Sequence, residues 1–322
     1  METKIVNIIN EMAEYLDASQ LRMLQLSLLN NLSENAPEKK DISNEEYLKL
    51  FLDAKRIEGC STRTLDYYKV TIQHLLLNID TSVRKITTEA LREYLVNYQK
   101  INNCSKVTVD NVRRNISSFF SWLEEENYIL KSPMKRIHKI KTKTVVKNVI
   151  SDESIEVIRD NCHVKRDLAI IDLLYSTGIR VGELVNLNIE DINFEERECI
   201  VFGKGDKERK VYFDAKTKIH LKRYIDSRTD SNPALFVTLN APYDRLKISG
   251  VEIRLRRLGR ELNIERVHPH KFRRTMATRA IDKGMPIEQV QKILGHSQID
   301  TTMKYAMVNQ GNVKNSHRKF VA

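Results

Sequence analysis

Four cysteines in 322 residues, Cys60, Cys104, Cys162 and Cys199, stand far apart and form no C-x-x-C pair. Their spacing argues against a zinc ribbon, a dithiol redox motif or a secreted disulfide framework. There is no H-E-x-x-H, so His268, His270 and His296 offer a zinc reading only across separate elements, and neither a metal nor a cofactor is expected. No apolar run approaches the ~20 residues of a membrane span. The first residues lack a basic start, an apolar core and a small-residue cleavage site, so cytoplasm is the default and no membrane partner is expected. There is also no internal repeat and no low-complexity tract.

What is plentiful is charge. Charged residues make up 30% of the chain and apolar ones 41%, the balance of a globular protein, and the formal net charge is +11 with a pI near 9.3. Each phosphate neutralised by such a surface releases counterions, which favours a polyanionic partner and above all nucleic acid. At this length two domains are expected.

Apolar periodicity predicts a helical hairpin at the start, with Ile5, Ile8, Ile9, Met12 and Leu16 on one arm and Leu21, Leu24, Leu28 and Leu32 on the other, interrupted at 17–19. Residues 1–36 carry two basic against five acidic side chains in an otherwise basic protein, which reads as a protein-contacting extension. A polar linker around Pro37 follows. Residues 43–130 show four helical patterns, over 47–57, 62–77, 88–98 and 108–127, and predict a small all-helical bundle. The stretch 131–149 then holds seven Lys or Arg and no acid; it reads either as a solvated linker or as a strap along phosphates. Residues 150–322 form the second domain. Helices are expected over 155–160, 166–176, 181–187, 217–227, 249–262, 272–283 and 286–294, and 198–202 with 209–213 read as a β-hairpin around G-K-G-D-K-E.

Cleaving a phosphodiester without a metal requires cations for the non-bridging oxygens, a nucleophile and an acid for the leaving oxygen. The second domain supplies all three. Arg180 in T-G-I-R-V-G-E-L follows the helix breaker Gly178 and stands at a helix N-terminus, with Glu183 one turn on to fix its fork. Lys204 ends a strand beside a turn; His270 and Arg273 share a helix face; His296 follows a helix C-terminus; Tyr305 lies in T-T-M-K-Y-A. Taken singly, each also fits a plain structural role, as surface arginine, turn lysine, cap histidine or core tyrosine.

Together, T-G-I-R-V-G-E-L-V-N-L, V-F-G-K-G-D-K-E-R, H-P-H-K-F-R-R-T-M-A-T and L-G-H-S-Q-I-D-T-T-M-K-Y resemble the motif series of the tyrosine recombinases, the phage-integrase family, in order and in mutual distance. The likeness extends forward to T-V-D-N-V-R-R-N-I-S-S-F-F-S-W-L, similar to the last helix of that family's core-binding domain, and leaves the first 36 residues unexplained. Arg274 and Met276 stand where the family often has histidine and phenylalanine.

The resemblance implies a mainly α protein, with a helical, SAM-like core-binding domain and an α+β catalytic domain containing a small β-hairpin sheet. It implies Tyr305 as the nucleophile that forms a 3′-phosphotyrosyl link, Arg180 and Arg273 on the non-bridging oxygens, Lys204 as the acid for the leaving 5′-oxygen, His270 assisting proton transfer and His296 donating to the phosphate. It further implies double-stranded DNA with specific sites as substrate, a clamp of two domains on the duplex, a tetramer that exchanges strands through a Holliday junction, and a C-terminal tail that docks on a neighbour. It leaves room for accessory DNA-bending proteins. Arg113, Arg114, Lys139, Lys141 and Lys143 are candidate DNA contacts. Two rivals share parts of this picture: a type IB topoisomerase, which uses the same phosphotyrosine chemistry, and a DNA-binding regulator that has lost activity.

Overall fold

A computed structural model describes residues 2–32, 42–142, 148–203, 208–296 and 298–306, and divides into two units, Met1–Lys143 and Thr144–Ala322. Each is built mainly of helices. In the first unit these are α1 (Glu2–Met12), α2 (Ala18–Leu32), α3 (Asn44–Ile57), α4 (Thr62–Asn78), α5 (Thr88–Ile101) and α6 (Lys106–Glu125). Asp17 caps α2, and Ser43, Ser61, Thr87 and Ser105 accept from backbone N–H groups three residues on at the starts of α3 to α6. A cap of this kind contributes about 1 kcal/mol and answers one of the four orphan donors of a helix start.

Helix α6 is the axis of this unit. Val109, Val112, Ile116, Phe119, Phe120 and Leu123 line its buried face and meet Tyr47, Phe51, Ile72, Leu75, Leu91 and Leu95 from α3, α4 and α5. Phe51 is fully buried and lies 5.2 Å from the Tyr68 ring, 5.3 Å from Phe119 and 5.6 Å from Trp122. The first part of the basic stretch after α6, through residue 142, stays with this unit. A 3-10 turn, Pro133–Arg136, buries Met134; Ile137 and Ile140 pack on the same core; and the Ile140 N–H donates to Asp110 Oδ1 at 3.0 Å. Two isoleucines three residues apart, Ile137 and Ile140, hold down a segment that its charge alone would solvate.

The second unit contains α7 (Asp152–Asp160), α8 (Lys165–Thr177), α9 (Val181–Asn186), β1 (Ile192–Asn193), β2 (Glu198–Phe202), β3 (Glu208–Tyr212), α10 (Ala215–Ile225), α11 (Ile248–Glu261), α12 (Pro269–Asp282), α13 (Ile287–Leu294) and α14 (Ile299–Ala306). Helix α8 is buried along most of its length, and its carboxylates are paired. Asp172, fully buried, accepts from Arg159 Nε of α7 at 2.7 Å and meets His220 Nδ1 of α10; Asp167 accepts from Arg166 and from Arg254 of α11. A buried carboxylate is tolerated only with such partners, so these pairs fix which helices flank α8.

The sheet is antiparallel in the order β1-β2-β3, with Ile192 opposite Cys199, Cys199 opposite Val211 and Val201 opposite Arg209. Sequence patterning predicts two strands; β1 is only two residues long, too short for any alternation to show. Cys199, Val201 and Val211 face the core, while Lys210 faces out and pairs with Glu198 at 2.7 Å. Between α10 and α11 the chain is irregular and is pinned by Arg228, which donates to Asp230 and to the carbonyls of Asn232 and Ala234, while Phe236 stacks on Tyr224 at 5.7 Å. No helix among the described residues is long and apolar enough to cross a membrane.

Truncating Phe51 to alanine removes the ring around which the first unit's aromatic cluster packs. The expected cost is roughly 3–5 kcal/mol, read as a fall in the denaturation midpoint of that unit followed by Trp122 fluorescence.

Candidate active site

Helix α8 ends at Gly178, whose φ of 64° is the left-handed cap that glycine adopts without strain, and a Cβ there would run into the Met276 side chain of α12. Helix α13 ends in the same way at Gly295, φ 62°. These two helix ends present carbonyl groups that carry partial negative charge and have no partner within their helices. Arg273, 3% exposed on α12, bridges them: Nη1 donates to Gly178 O at 2.7 Å and Nη2 to Leu294 O at 2.5 Å.

Arg180 enters from the next element. It is the N-cap of α9; its N–H donates to Glu183 Oε2 at 2.8 Å, its Nη1 to Glu183 Oε1 at 2.8 Å and its Nη2 to Gly295 O at 3.2 Å. Glu183 also accepts from Arg209 of β3, with Nη1 to Oε1 at 2.8 Å and Nη2 to Oε2 at 2.6 Å. The four lone-pair positions of the carboxylate are therefore filled. Burial pushes the Glu183 carboxyl up, but the hydrogen bonds from Arg209 and Arg180 outweigh it and hold the group below the ordinary carboxylate range.

His296 completes the cluster. Its Nε2 lies 3.0 Å from Arg273 Nη2 and its Nδ1 2.8 Å from Thr302 Oγ1 of α14. A guanidinium has only donors, so Nε2 accepts and the ring proton sits on Nδ1, donating to Thr302. Burial, followed by the charges of Arg273, Arg180 and Arg209, lowers the His296 pKa to about 4, in keeping with a neutral ring.

Of the candidate residues, Arg180, Glu183, Arg273 and His296 thus meet in one cluster. His270 stands exposed in the first turn of α12, one turn before Arg273, with the His268 ring 6.5 Å away. Burial lowers the pKa of His268, with Arg274, His270 and Lys271 adding to the effect. Tyr305 lies on α14, which packs against α12 and α13; its position is known through the backbone and through fully buried Thr302, one turn earlier. Lys204 falls in the connection between β2 and β3 and lies outside the described residues.

The cluster contains two residues that patterning did not single out, Arg209 and Thr302. Arg209 had a readable signal: it faces the same side of β3 as buried Val211, so a charge there demands an inward partner. Among the candidate DNA contacts, Arg113 is turned inward, 12% exposed in its side chain and donating to Asp110 Oδ1 at 2.8 Å, where it helps hold the segment at Ile140. Arg114, 63% exposed, and Lys139 and Lys141 are at the surface; Lys143 lies outside the described residues. Met276 packs on Gly178, and Arg274 donates to Asn148 O at 2.5 Å.

Residues 134–312 match the model of the phage integrase family, and residues 47–130 match that of the phage integrase N-terminal SAM-like domain. The chain is 30% identical over 288 residues to tyrosine recombinase XerA of Pyrococcus horikoshii, covering 88% of this chain and 96% of that one. It is 28% identical over 292 residues to tyrosine recombinase XerC of Oceanobacillus iheyensis, covering 85% and 95% respectively. The fold is similar to that of the Tn1549 transposon integrase solved in complex with a circular intermediate DNA, with a TM-score of 0.70 at 19% identity over 85% of this chain and 99% of that one. The chain therefore belongs to the phage integrase family and is a tyrosine recombinase.

Proposed function

We propose that this protein is a site-specific DNA recombinase that breaks and rejoins DNA through a 3′-phosphotyrosine intermediate, with no metal or nucleotide cofactor. The observation that carries this reading is the meeting of Arg180, Arg273 and His296 at the ends of α8 and α13, beside the helix that bears Tyr305. Two guanidiniums in one pocket suit a phosphodiester, because their planar forks match two non-bridging oxygens.

In this mechanism Arg180 and Arg273 hold those oxygens while the Tyr305 hydroxyl attacks phosphorus. A tyrosine hydroxyl with a solution pKa of ~10 needs help to become a nucleophile at neutral pH, and exposed His270 takes its proton. Lys204 gives a proton to the departing 5′-oxygen. The new phosphotyrosyl bond conserves the energy of the old diester, so a 5′-hydroxyl from a partner strand can reverse the step without ATP. Two such exchanges pass through a Holliday junction held by a tetramer on two DNA sites, and residues 311–322 act as the tail that docks on a neighbouring copy.

His296 changes its bonding during this cycle. In the structure its Nε2 accepts from Arg273, so donating to a phosphate requires Nε2 to gain a proton. An anionic phosphate between Arg180 and Arg273 offsets the cationic charges that, after burial, hold the His296 pKa down, and so raises it.

The DNA contacts extend to Arg114, Lys139 and Lys141 of the first unit, and the acidic extension 1–36 makes protein contacts. Replacing Tyr305 with phenylalanine is expected to abolish the covalent protein–DNA adduct on a nicked substrate while leaving gel-shift affinity unchanged; an adduct formed by that variant overturns the assignment. Cleavage by the wild-type chain is expected to proceed at the same rate in excess EDTA, since no step passes through a metal. Deleting residues 1–36 is expected to leave binding to a single site intact and to reduce complexes that contain two sites, both read on the same gels.

A further inference from the structure

We infer that Arg209, which lies outside the six catalytic positions proposed above, is a positioning residue that keeps Glu183 ionised and thereby holds Arg180 in its phosphate-binding pose. The inference rests on the recombinase reading for its activity readout and on the site geometry for everything else. The Arg209 side chain is 11% exposed and all three of its guanidinium nitrogens donate: Nη1 and Nη2 grip both oxygens of Glu183, and Nε donates to Ile293 O at 2.9 Å in the last turn of α13. A Cβ on Gly295 would lie 3.0 Å from Arg209 Cδ, so the side chain also fills the space beneath the α13 cap from which Gly295 O reaches Arg180.

Glu183 in turn fixes Arg180 twice, through its backbone N–H and through Nη1, while the remainder of the Arg180 fork is partly exposed, at 35% of its side chain. The direction of control is set by exposure. Arg209 and Glu183 are buried and held at both ends, so they form the rigid part, and Arg180 is the group they aim. The two strand positions opposite each other, Val201 and Arg209, place the guanidinium on the inward face of β3, where only a buried partner justifies a charge.

The charged and titratable groups facing Glu183 are Arg180 on its own helix, Arg209 from β3 and Cys199 from β2, whose thiol burial pushes up to about 12, so it stays uncharged. Beyond the two arginines lie Arg273 and neutral His296. Arg209 is the largest influence drawing the Glu183 carboxyl down against burial, so its loss leaves burial to raise the pKa. A protonated Glu183 cannot hold Arg180 by charge, and the cost then grows as pH falls.

The test compares Arg209→Gln with the wild-type chain, measuring the rate of covalent adduct formation on a nicked DNA substrate. At neutral pH the variant is expected to be about 100-fold slower, the scale of a small misplacement of a binding group. The ratio of variant to wild-type rate is expected to fall further as pH is lowered, because losing Arg209 moves the Glu183 pKa upward and the variant's carboxyl takes up a proton before that of the wild type. In Arg209→Gln with Glu183→Gln that acid limb is expected to disappear, since the titrating group is gone. A rate ratio that does not change with pH, or an acid limb that persists in the double variant, overturns the inference. Should the glutamine variant not fold, Arg209→Lys, which keeps a charge beside Glu183 but cannot serve both carboxylate oxygens and Ile293 O, is expected to be slower than wild type at every pH without an acid limb; a wild-type rate in that variant overturns the inference. Should the wild-type chain form no adduct, the recombinase reading fails. The ¹⁵N signals of the Arg180 side chain then still decide the role of Arg209, which requires them to lose their protection from exchange in Arg209→Gln as pH is lowered.

Discussion

The site depends on solving one electrostatic problem: three guanidiniums must stand within reach of one another before any phosphate arrives. Like charges at such separations repel by several kcal/mol at the effective dielectric of a partly buried pocket. The fold answers with one carboxylate and four helix-end carbonyls, Ile293 O taking Arg209 Nε. Glu183 takes four hydrogen bonds from Arg180 and Arg209, while Gly178 O, Leu294 O and Gly295 O take the donors of Arg273 and Arg180. Because carbonyl oxygens are neutral groups carrying partial charge, they orient the arginines without cancelling the positive field that would draw a phosphate in.

This arrangement explains why so much of the second unit is needed for a few side chains. Arg273 reaches Gly178 O only if α8 ends where it does, and α8 ends there because glycine takes a left-handed φ that a larger residue would strain. Helix α8 is in turn held in place by buried carboxylates that bind α7, α10 and α11. His296 is the neutral member of the cluster, and it can remain neutral beside three arginines because its Nε2 accepts from one of them.

Much of this was legible in the sequence, and the gaps have physical causes. Helix periods in the first unit and the end of α8 at Gly178 follow from local apolar spacing and glycine chemistry, which act within a few residues of chain. Arg180 with Glu183 is likewise a short-range relation, three residues apart at a helix start. Arg209 carries a local signal, the strand face it shares with Val211, but its partner is long-range: it meets Glu183 across 26 positions, and no local pattern names that partner. The same limit applies to Arg113, whose pairing with Asp110, which also accepts from the returning chain at Ile140, does not show in the charge pattern. Charge counting reads 131–149 as a linker or a strap, while Ile137 and Ile140 pack its earlier part onto the core of the first unit.

The residue types at the cluster are less exchangeable than their charges suggest. Arg273 spreads its donors over Gly178 O, Leu294 O and the His296 ring, and Arg209 over both Glu183 oxygens and Ile293 O. Each set of acceptors lies around a planar fork, which an ammonium on a flexible stem cannot match. A lysine at either position would keep the field and lose the geometry, leaving helix-end carbonyls or a carboxylate oxygen short of a donor in a buried place. The order of the pocket thus follows from the shape of guanidinium as much as from its charge. A pocket with that origin is well suited to hold a tetrahedral phosphate in one orientation while a tyrosine approaches it.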